Sequence, residues 1–282
     1  MSTATLIQPL PTLPILDLDH PGAQDQDYRK RRELITTAAV EFHAQSTLTQ
    51  SLSIPLIQYT KEEHHVWQHV YKKLKPLHDK HACSLYNQGR TLLNLPTDHI
   101  PQLANLSEQL QQISNFHLEP IHGLVDARIF LAKLAHNTML CTQYIRHPSK
   151  PEFTPEPDII HEVLGHVPLF TNPQLNHISQ LIGRAAITAT ETQLTALTRL
   201  YWYTIEYGLI NEHNEIKALG AGLLGGLHDL QNAFSGNAIL KPFNMQEIIN
   251  TDFNYSFEQP HFFVIPSLDV LQKETEILIE SF

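Results

Sequence analysis

The chain has 282 residues, of which 42% are hydrophobic, and a formal net charge of −10 at pH 7. This acidic balance argues against a nucleic-acid partner, because neutralising phosphates needs clustered lysine and arginine. No apolar stretch approaches the about 20 residues needed to span a bilayer, so no membrane segment is predicted.

The N-terminal stretch and the cysteines indicate a cellular compartment. Residues 1–17 hold three prolines and no basic residue, which is atypical of a secretory signal. The two cysteines, Cys83 and Cys141, are too few for a disulfide framework and are expected to be free thiols. We therefore expect a cytoplasmic protein. Residues 1–20 are expected to form a loosely ordered lead-in, and residues 21–282 are expected to form one domain.

Apolar residues recur at helical spacing along much of the chain. In chain order, the predicted elements are a helix from Tyr28 through Phe42, a helix from Trp67 ending near Pro76, a helix through 106–113, a buried helix within 126–146, a loop at 150–157, a helix over 194–209, a strand at 262–265 and a helix over 268–279. This order predicts a mainly α-helical domain with minor β structure.

The segment TPEPDIIHEVLGHVP, residues 154–168, has the strongest chemical implication. It places His161 and His166 five residues apart, and Glu206 follows 40 positions later. Two neutral imidazoles and one carboxylate are the ligand set of non-haem Fe(II) centres that keep positions open for oxygen. The zinc-protease pattern H-E-x-x-H spaces its histidines four apart, so the spacing argues against that class.

The five-residue spacing of His161 and His166 predicts an interruption of the helix that carries them. On a continuous α-helix, His161 and His166 would point roughly 140° apart at about 100° per residue. We expect Pro157 to be the first helical residue and Gly165, with Pro168, to end the helix before His166. The bend would then bring both imidazoles to one ion.

Further segments extend this pattern over nearly the whole chain. They are HPG at 20–22, the basic run 28–32, CTQYIRH at 141–147, YWYTIEYGL at 201–209, IKALGAGLL at 216–224 and KPF at 241–243. In this order and spacing, the chain closely resembles the pterin-dependent aromatic amino acid hydroxylases, the phenylalanine, tyrosine and tryptophan hydroxylase family. The resemblance implies the family's basket-like helical catalytic fold, Fe(II) held by His161, His166 and Glu206, a tetrahydropterin cofactor, and O2 as co-substrate.

The resemblance also implies which residues contact the pterin. Phe130 matches the phenylalanine that stacks on the pterin ring, and Glu162, Val125 and Tyr201 are the other expected contacts. Without the resemblance, Phe130 would be interpreted as a core aromatic and Glu162 as a solvated helix residue.

The expected substrate is a small aromatic amino acid. Arg146 is predicted to bind its carboxylate, because a guanidinium matches carboxylate geometry in a bidentate way. The resemblance implies that Asp158 orients Arg146, and a surface ion pair is the alternative for these two residues. The remaining substrate contacts that it implies are Thr154, Pro157, Trp202, Gly222 and Tyr255.

Supporting positions are also predicted. Glu156 is expected to pair with Arg32 and brace the iron loop. The stretch 220–225 spells G-x-G-x-x-G without the βαβ context of a dinucleotide site, and the resemblance implies that it lines the active site. Gly225 and Gly226 stand where the animal enzymes carry serines, one of which supports an iron-binding histidine, so this support differs here.

The expected reaction is phenylalanine to tyrosine, with mixed specificity. Trp202 matches phenylalanine and tyrosine hydroxylases, whereas Tyr255 stands at a position that helps to separate the three activities. Tryptophan 5-hydroxylase or tyrosine hydroxylase activity is the alternative within the family. A zinc-dependent hydrolase and a non-enzymatic metal-binding protein are the alternatives from other classes. The predicted last helix lacks sustained a/d heptads, so we expect a monomer or a weak dimer.

Overall fold

The computed structural model describes residue 16 and residues 20–46, 53–254 and 258–282. Most of the expected lead-in, 1–20, therefore lies outside the described residues, as does Tyr255. The division of the chain at residue 20 stays a prediction.

Helices make up most of the fold, as predicted. They are α1 (Gln26–Ser46), α2 (Lys61–His81), α3 (Ser84–Leu92), α4 (Leu103–Ser114), α5 (Ala127–Leu134), α6 (Pro173–Thr188), α7 (Glu191–Tyr201), α8 (Ala221–Gly225), α9 (Leu227–Ala233), α10 (Met245–Asn250) and α11 (Leu268–Glu280). Two single π-helical turns, His161–His166 and Trp202–Glu206, and a 3₁₀ turn, Leu169–Thr171, join them. In the described part of the chain, no helix is both long and apolar enough to cross a bilayer.

The strands form two small sheets. They are β1 (His117–Ile121), β2 (Thr138–Thr142), β3 (Leu209–Glu212), β4 (Glu215–Ala218), β5 (Ile239–Pro242) and β6 (His261–Ile265). β1 pairs with β2 in parallel, and the larger sheet has the order β4-β3-β6-β5. β3 and β4 form a hairpin whose turn residues His213 and Asn214 have φ of 53° and 66°, as a tight two-residue turn requires.

Buried apolar side chains form one large cluster that runs from Val66 in α2 to Leu278 in α11. α2 contributes one face to it, including Trp67 and Leu74, and begins with a capping box between Thr60 and Glu63. The π-helical turns and α8 lie inside this cluster, so the elements that carry the site are held by packing on several sides.

The expected end of a helix near Pro76 is wrong, since α2 continues to His81. Proline has no N–H to donate to the carbonyl four residues earlier, which here is that of Lys72. Pro76 and Lys72 both lie on the exposed face, so water can replace the missing donor. Meanwhile Leu74 and His78 bury the opposite face.

Two other predicted helices are longer than the helices in the structure. The segment 126–146 contains α5, a turn at Asn137 with φ of 55°, and the fully buried strand β2. A short buried apolar run has the same pattern in a strand as in a helix, which explains the error. The segment 194–209 contains the end of α7, one π-helical turn and the start of β3.

Candidate active site

Both elements that carry the expected metal ligands are π-helical turns. In the first, the N–H of Val167 donates to the carbonyl of Glu162 at 3.1 Å, and in the second the N–H of Tyr207 donates to that of Trp202 at 2.7 Å. Hydrogen bonds between residues five apart place such residues on the same face, one turn apart. The expected helix end at Gly165 is therefore wrong, because His161 and His166 share a face of one continuous turn.

Gly165 serves close packing instead of ending the helix. A Cβ atom at this position would lie 2.5 Å from the carbonyl oxygen of Ala221 in α8. Pro157 is also not the first helical residue, since the helical backbone begins at Ile159. Asp158 marks this start, because its Oδ1 accepts a hydrogen bond from the N–H of His161 at 3.1 Å.

The three expected ligand side chains converge. Nε2 of His161 lies 3.2 Å from Oε1 of Glu206, and Nε2 of His166 lies 3.1 Å from Oε2 of the same carboxylate. Two ligand atoms that bind one metal ion at right angles, each about 2.1 Å from it, lie about 3 Å from each other. The separations therefore fit neighbouring ligands of a single metal, and this ligand set suits non-haem Fe(II).

The charges of these side chains follow from burial and from one another. Burial lowers the pKa of His161 to about 4, which keeps its ring neutral, as metal binding requires. Burial alone would raise the pKa of Glu206, but His166 and His161 outweigh it and hold that pKa below its usual value. The neutral His161 imidazole and the ionised Glu206 carboxylate are forms that bind a metal. At His166, burial alone would lower the pKa, but the Glu206 carboxylate outweighs it and raises that pKa above its usual value.

Glu162 also lies close enough to be the carboxylate ligand in place of Glu206, since one ligand atom from each of Glu162, His161 and His166 lies within 4.8 Å of the others. However, Thr142 holds Oε1 of Glu162 with its N–H and its hydroxyl, both at 3.1 Å. Burial raises the pKa of Glu162 to about 7, so it is a weaker anion than Glu206. The arrangement favours Glu206 as the ligand and leaves Glu162 facing the cavity beside the metal position.

A cavity of about 570 Å³ opens beside these side chains. It brings together nearly all of the residues that the sequence predicted for the site. Those lining it are Val125, Phe130, Arg146, Thr154, Glu156, Pro157, His161, Glu162, His166, Tyr201, Trp202, Glu206, Gly222 and Gly225. Asp158 lies behind this wall, in contact with Arg146.

Arg146 and Asp158 form a buried bidentate pair. Nε of Arg146 lies 2.8 Å from Oδ2 of Asp158, and Nη2 lies 2.7 Å from Oδ1. The side chains of Arg146 and Asp158 are 2% and 0% exposed, so the alternative of a surface ion pair is wrong. Burial alone would raise the pKa of Asp158, but the Arg146 guanidinium outweighs it and lowers that pKa. Asp158 thus orients Arg146, which lines the cavity.

A family model described as biopterin-dependent aromatic amino acid hydroxylase matches residues 10–280. The chain belongs to this family. It is 41% identical over 257 residues to phenylalanine-4-hydroxylase of Rattus norvegicus, a match covering 89% of this chain and 55% of that one. It is 40% identical over 265 residues to tyrosine 3-monooxygenase of Schistosoma mansoni, covering 93% of this chain and 56% of that one. The chain thus spans a little over half the length of these relatives.

Solved structures of family members share the fold. Phenylalanine hydroxylase of Chromobacterium violaceum, with bound iron(III) and the oxidised cofactor 7,8-dihydrobiopterin, superposes with a TM-score of 0.76 at 29% identity. This match covers 82% of the present chain and 85% of that chain. The predicted family and its mainly helical fold are therefore confirmed.

The cavity has two aromatic regions. The ring of Phe130 meets that of Tyr201 edge-on at 5.4 Å, in the first of them. In the other region, Trp202 stacks on Phe253 at 4.2 Å with an interplanar angle of 13° and also contacts Tyr207 at 4.7 Å. Both regions offer flat apolar surfaces against which a planar ring can pack.

The loop at 150–157, part of which lines the cavity, is held by Arg32. Nη1 of Arg32 donates to Oε1 of Glu156, the pair expected from the sequence. The Arg32 guanidinium also lies 3.7 Å from the centre of the Tyr144 ring, and Nε2 of His20 lies 3.6 Å from the Glu156 carboxylate. Because Arg32 is only 5% exposed, this contact fixes the loop that carries Thr154 and Pro157.

The glycine segment packs directly on the metal-binding elements. A Cβ atom at Gly225 would lie 2.9 Å from the Cα of His161, and one at Gly222 would lie 2.7 Å from the Tyr207 ring. This segment therefore supports His161 through close backbone contact.

Sequence reasoning missed several residues of the cavity wall. Asp229 lines the cavity, and burial, followed by the charge of Glu258, raises its pKa to about 6. Tyr207 and Phe253 form part of the aromatic wall, and Thr142 holds Glu162. A carboxylate between leucines in α9 was the available signal for Asp229. Thr142 and Tyr207 lie within the family-like segments 141–147 and 201–209, but no local pattern in the sequence predicts their contacts.

Proposed function

We propose that this protein is an Fe(II)- and tetrahydropterin-dependent aromatic amino acid monooxygenase that uses O2 as co-substrate. The observation that carries the proposal is the convergence of His161, His166 and Glu206 at the wall of a cavity that could hold both a pterin and an amino acid. Membership of the biopterin-dependent family supports it, as does the iron and dihydrobiopterin in the Chromobacterium violaceum relative.

In this proposal each group of side chains has a separate task. Iron on His161, His166 and Glu206 would keep positions open for oxygen, and the reduced pterin would supply electrons for its activation. Phe130 and Tyr201, which line the cavity, would hold the flat pterin in place, with Val125 as a further contact and Glu162 as a polar one. The apolar walls exclude water from the reaction.

The substrate we propose is phenylalanine, converted to tyrosine. Arg146 would bind the substrate carboxylate, and Trp202 would form one wall of the ring subsite, with Thr154, Pro157 and Gly222 around it. Tyrosine is the alternative substrate, because a tyrosine 3-monooxygenase is as similar to this chain as a phenylalanine-4-hydroxylase is. Tryptophan is the third candidate. A zinc-dependent hydrolase or a non-enzymatic metal protein would show no pterin-dependent oxygen uptake.

The ligand assignment is tested by three single variants, His161→Ala, His166→Ala and Glu206→Ala. Each is expected to lose bound iron and hydroxylation while keeping the far-UV circular dichroism of the wild type. His177→Ala is the matched control, because His177 lies exposed on α6. Full iron stoichiometry and full activity in any one of the three variants would remove that residue from the site.

We also propose a cytoplasmic monomer, or at most a weak dimer. Cys83 and Cys141 are both free and buried, as expected for a reducing compartment. In α11 the buried residues Leu271 and Leu278 pack into the chain's own core. Light scattering at micromolar concentration should give the monomer mass, and phenylalanine saturation should be hyperbolic. A tetramer or a sigmoidal curve would contradict this.

A further inference from the structure

Two buried side chains outside the cavity contact the elements around the metal position. Nε2 of His78, from α2, lies 2.7 Å from the carbonyl oxygen of Leu224 in α8. The hydroxyl of Tyr86, from α3, donates to the carbonyl of Leu164 at 2.7 Å and lies 3.2 Å from Nδ1 of His78. We propose that His78 and Tyr86 are positioning residues that set how His161 and His166 face the iron; this rests on the proposed function.

The contact of Tyr86 with Leu164 supplies a hydrogen bond that the turn itself does not make. In an α-helix, the carbonyl of Leu164 would accept from residue 168, which is Pro168 and has no N–H. In the π-helical register the donor would be the N–H of Leu169, and among the described residues no backbone N–H donates to this carbonyl. A buried carbonyl without a donor destabilises the fold. The Tyr86 hydroxyl satisfies it from another helix and so ties the backbone between the two histidine ligands to α3.

The second contact acts through α8. This helix ends at Gly225, so the carbonyl of Leu224 is one of the last four, which have no partner inside the helix. His78 satisfies it. Because α8 touches the metal-binding turn at Gly165 and at the Cα of His161, a shift of α8 would move the backbone of the first ligand.

The side chain of His166 makes such backbone support necessary. Its Nδ1 has no hydrogen-bond partner within the ranges 20–46, 53–254 and 258–282, although the side chain is 2% exposed. Stacking on Phe170 at 6.0 Å and on Tyr201 at 6.5 Å limits the tilt of the ring. Its position along the helix axis therefore depends on the backbone that Tyr86 holds.

The protonation states of His78 and Tyr86 agree with these two hydrogen bonds. Burial lowers the pKa of His78 to about 3, so the ring is neutral and its one N–H, on Nε2, donates to Leu224. The Tyr86 hydroxyl then has one proton and two acceptors. The carbonyl of Leu164, at 2.7 Å, is closer than Nδ1 of His78, at 3.2 Å, and takes the stronger bond.

The test compares Tyr86→Phe with Tyr71→Phe in the full chain. Tyr71 is also buried, in α2, but its hydroxyl makes no hydrogen bond among the described residues, so this control removes an oxygen without removing a bond. The probe is Co(II) added to metal-free protein, followed by titration calorimetry and visible absorption. Tyr86→Phe should weaken Co(II) binding about tenfold and shift the absorption bands, as losses of support around a metal do. Tyr71→Phe should bind as the wild type does.

A second pair of variants separates positioning from stability. His78→Gln keeps an amide N–H for Leu224 and should retain Co(II) affinity within about threefold, whereas His78→Leu should lose about tenfold. In the iron enzyme, Tyr86→Phe should lower kcat and leave the KM for phenylalanine unchanged. If Tyr86→Phe does not fold, the comparison of His78→Leu with His78→Gln decides.

Wild-type Co(II) affinity and spectrum in folded Tyr86→Phe, even with a lowered melting temperature, would overturn the positioning role alone. Equal Co(II) binding by His78→Leu and His78→Gln would do the same for His78. A wild-type protein that binds no Co(II) would instead refute the proposed function, and this inference with it.

Discussion

Replacing Asp158 by alanine removes the acceptor of several buried hydrogen bonds. Its carboxylate accepts from the N–H, Nε and Nη2 of Arg146 and from the N–H of His161. Leaving one member of a buried ion pair without its partner costs about 3–5 kcal/mol. Losing the acceptor at a helix start costs about 1 kcal/mol more. We therefore expect the free energy of unfolding to fall by about 4–6 kcal/mol, a large part of the about 5–15 kcal/mol typical of a domain.

Urea denaturation at pH 7, monitored by circular dichroism, measures this loss. The matched control is Asp79→Ala, which removes two ion pairs at the surface, with Lys75 and Arg90, each at 2.6 Å. Because the Asp79 side chain is 46% exposed, this control should lose less than about 1 kcal/mol.

A double variant separates stability from substrate binding. Arg146→Met with Asp158→Leu removes both charges and should recover most of the stability that Asp158→Ala loses, since an apolar pair can replace a buried ion pair. It should still fail to bind phenylalanine, because the guanidinium is missing. A loss below about 1 kcal/mol in Asp158→Ala, or wild-type phenylalanine binding by the double variant, would refute the reasoning.

Three further outcomes are expected. Glu162→Gln should raise the KM for the pterin while the iron content, measured by plasma emission, stays at the wild-type level; loss of iron would make Glu162 a ligand. Gly165→Ala should cost about 1–3 kcal/mol in urea denaturation, because its Cβ would lie 2.5 Å from the Ala221 carbonyl, and an unchanged midpoint would contradict this. Stability should fall as the pH drops from 6.5 towards 3, since the unfolded chain protonates His78 and the folded chain, with its pKa lowered to about 3 by burial, does not. This single group contributes roughly 5 kcal/mol over that window, so His78→Gln should flatten the pH dependence of the unfolding free energy, and an unaltered slope would contradict the assignment.

The convergence of His161, His166 and Glu206 could be predicted because these residues lie in motifs whose residue types suit a metal site. The local backbone could not. A period of 3.6 residues predicts that His161 and His166 diverge, and Gly165 with Pro168 predicts a helix end. The π-helical turn depends instead on packing against α8 and on the Tyr86 hydroxyl, which is 78 residues from the carbonyl it contacts. No local pattern contains such a partner.

The same distinction applies elsewhere in the chain. Pro76 follows the local rule for ending a helix, but burial of Leu74 and His78 on the opposite face keeps α2 intact. The helix predicted over 126–146 is wrong at β2, because the partner strand β1 that makes this segment a strand is separated from it by α5. Asp229 belongs to the site only because the fold turns α9 towards the cavity.

The most direct test of the central claim is turnover by the protein reconstituted anaerobically with Fe(II). Oxygen uptake and amino acid products are measured after adding a tetrahydropterin and phenylalanine, tyrosine or tryptophan in separate reactions. We expect uptake that requires both iron and pterin, with tyrosine formed from phenylalanine at the highest kcat/KM of the three. The proposed function would be contradicted by activity that does not require the pterin, or by no activity with any of the three amino acids. A preference for tryptophan above about tenfold, or about 1.4 kcal/mol, would overturn the assignment of phenylalanine as the substrate.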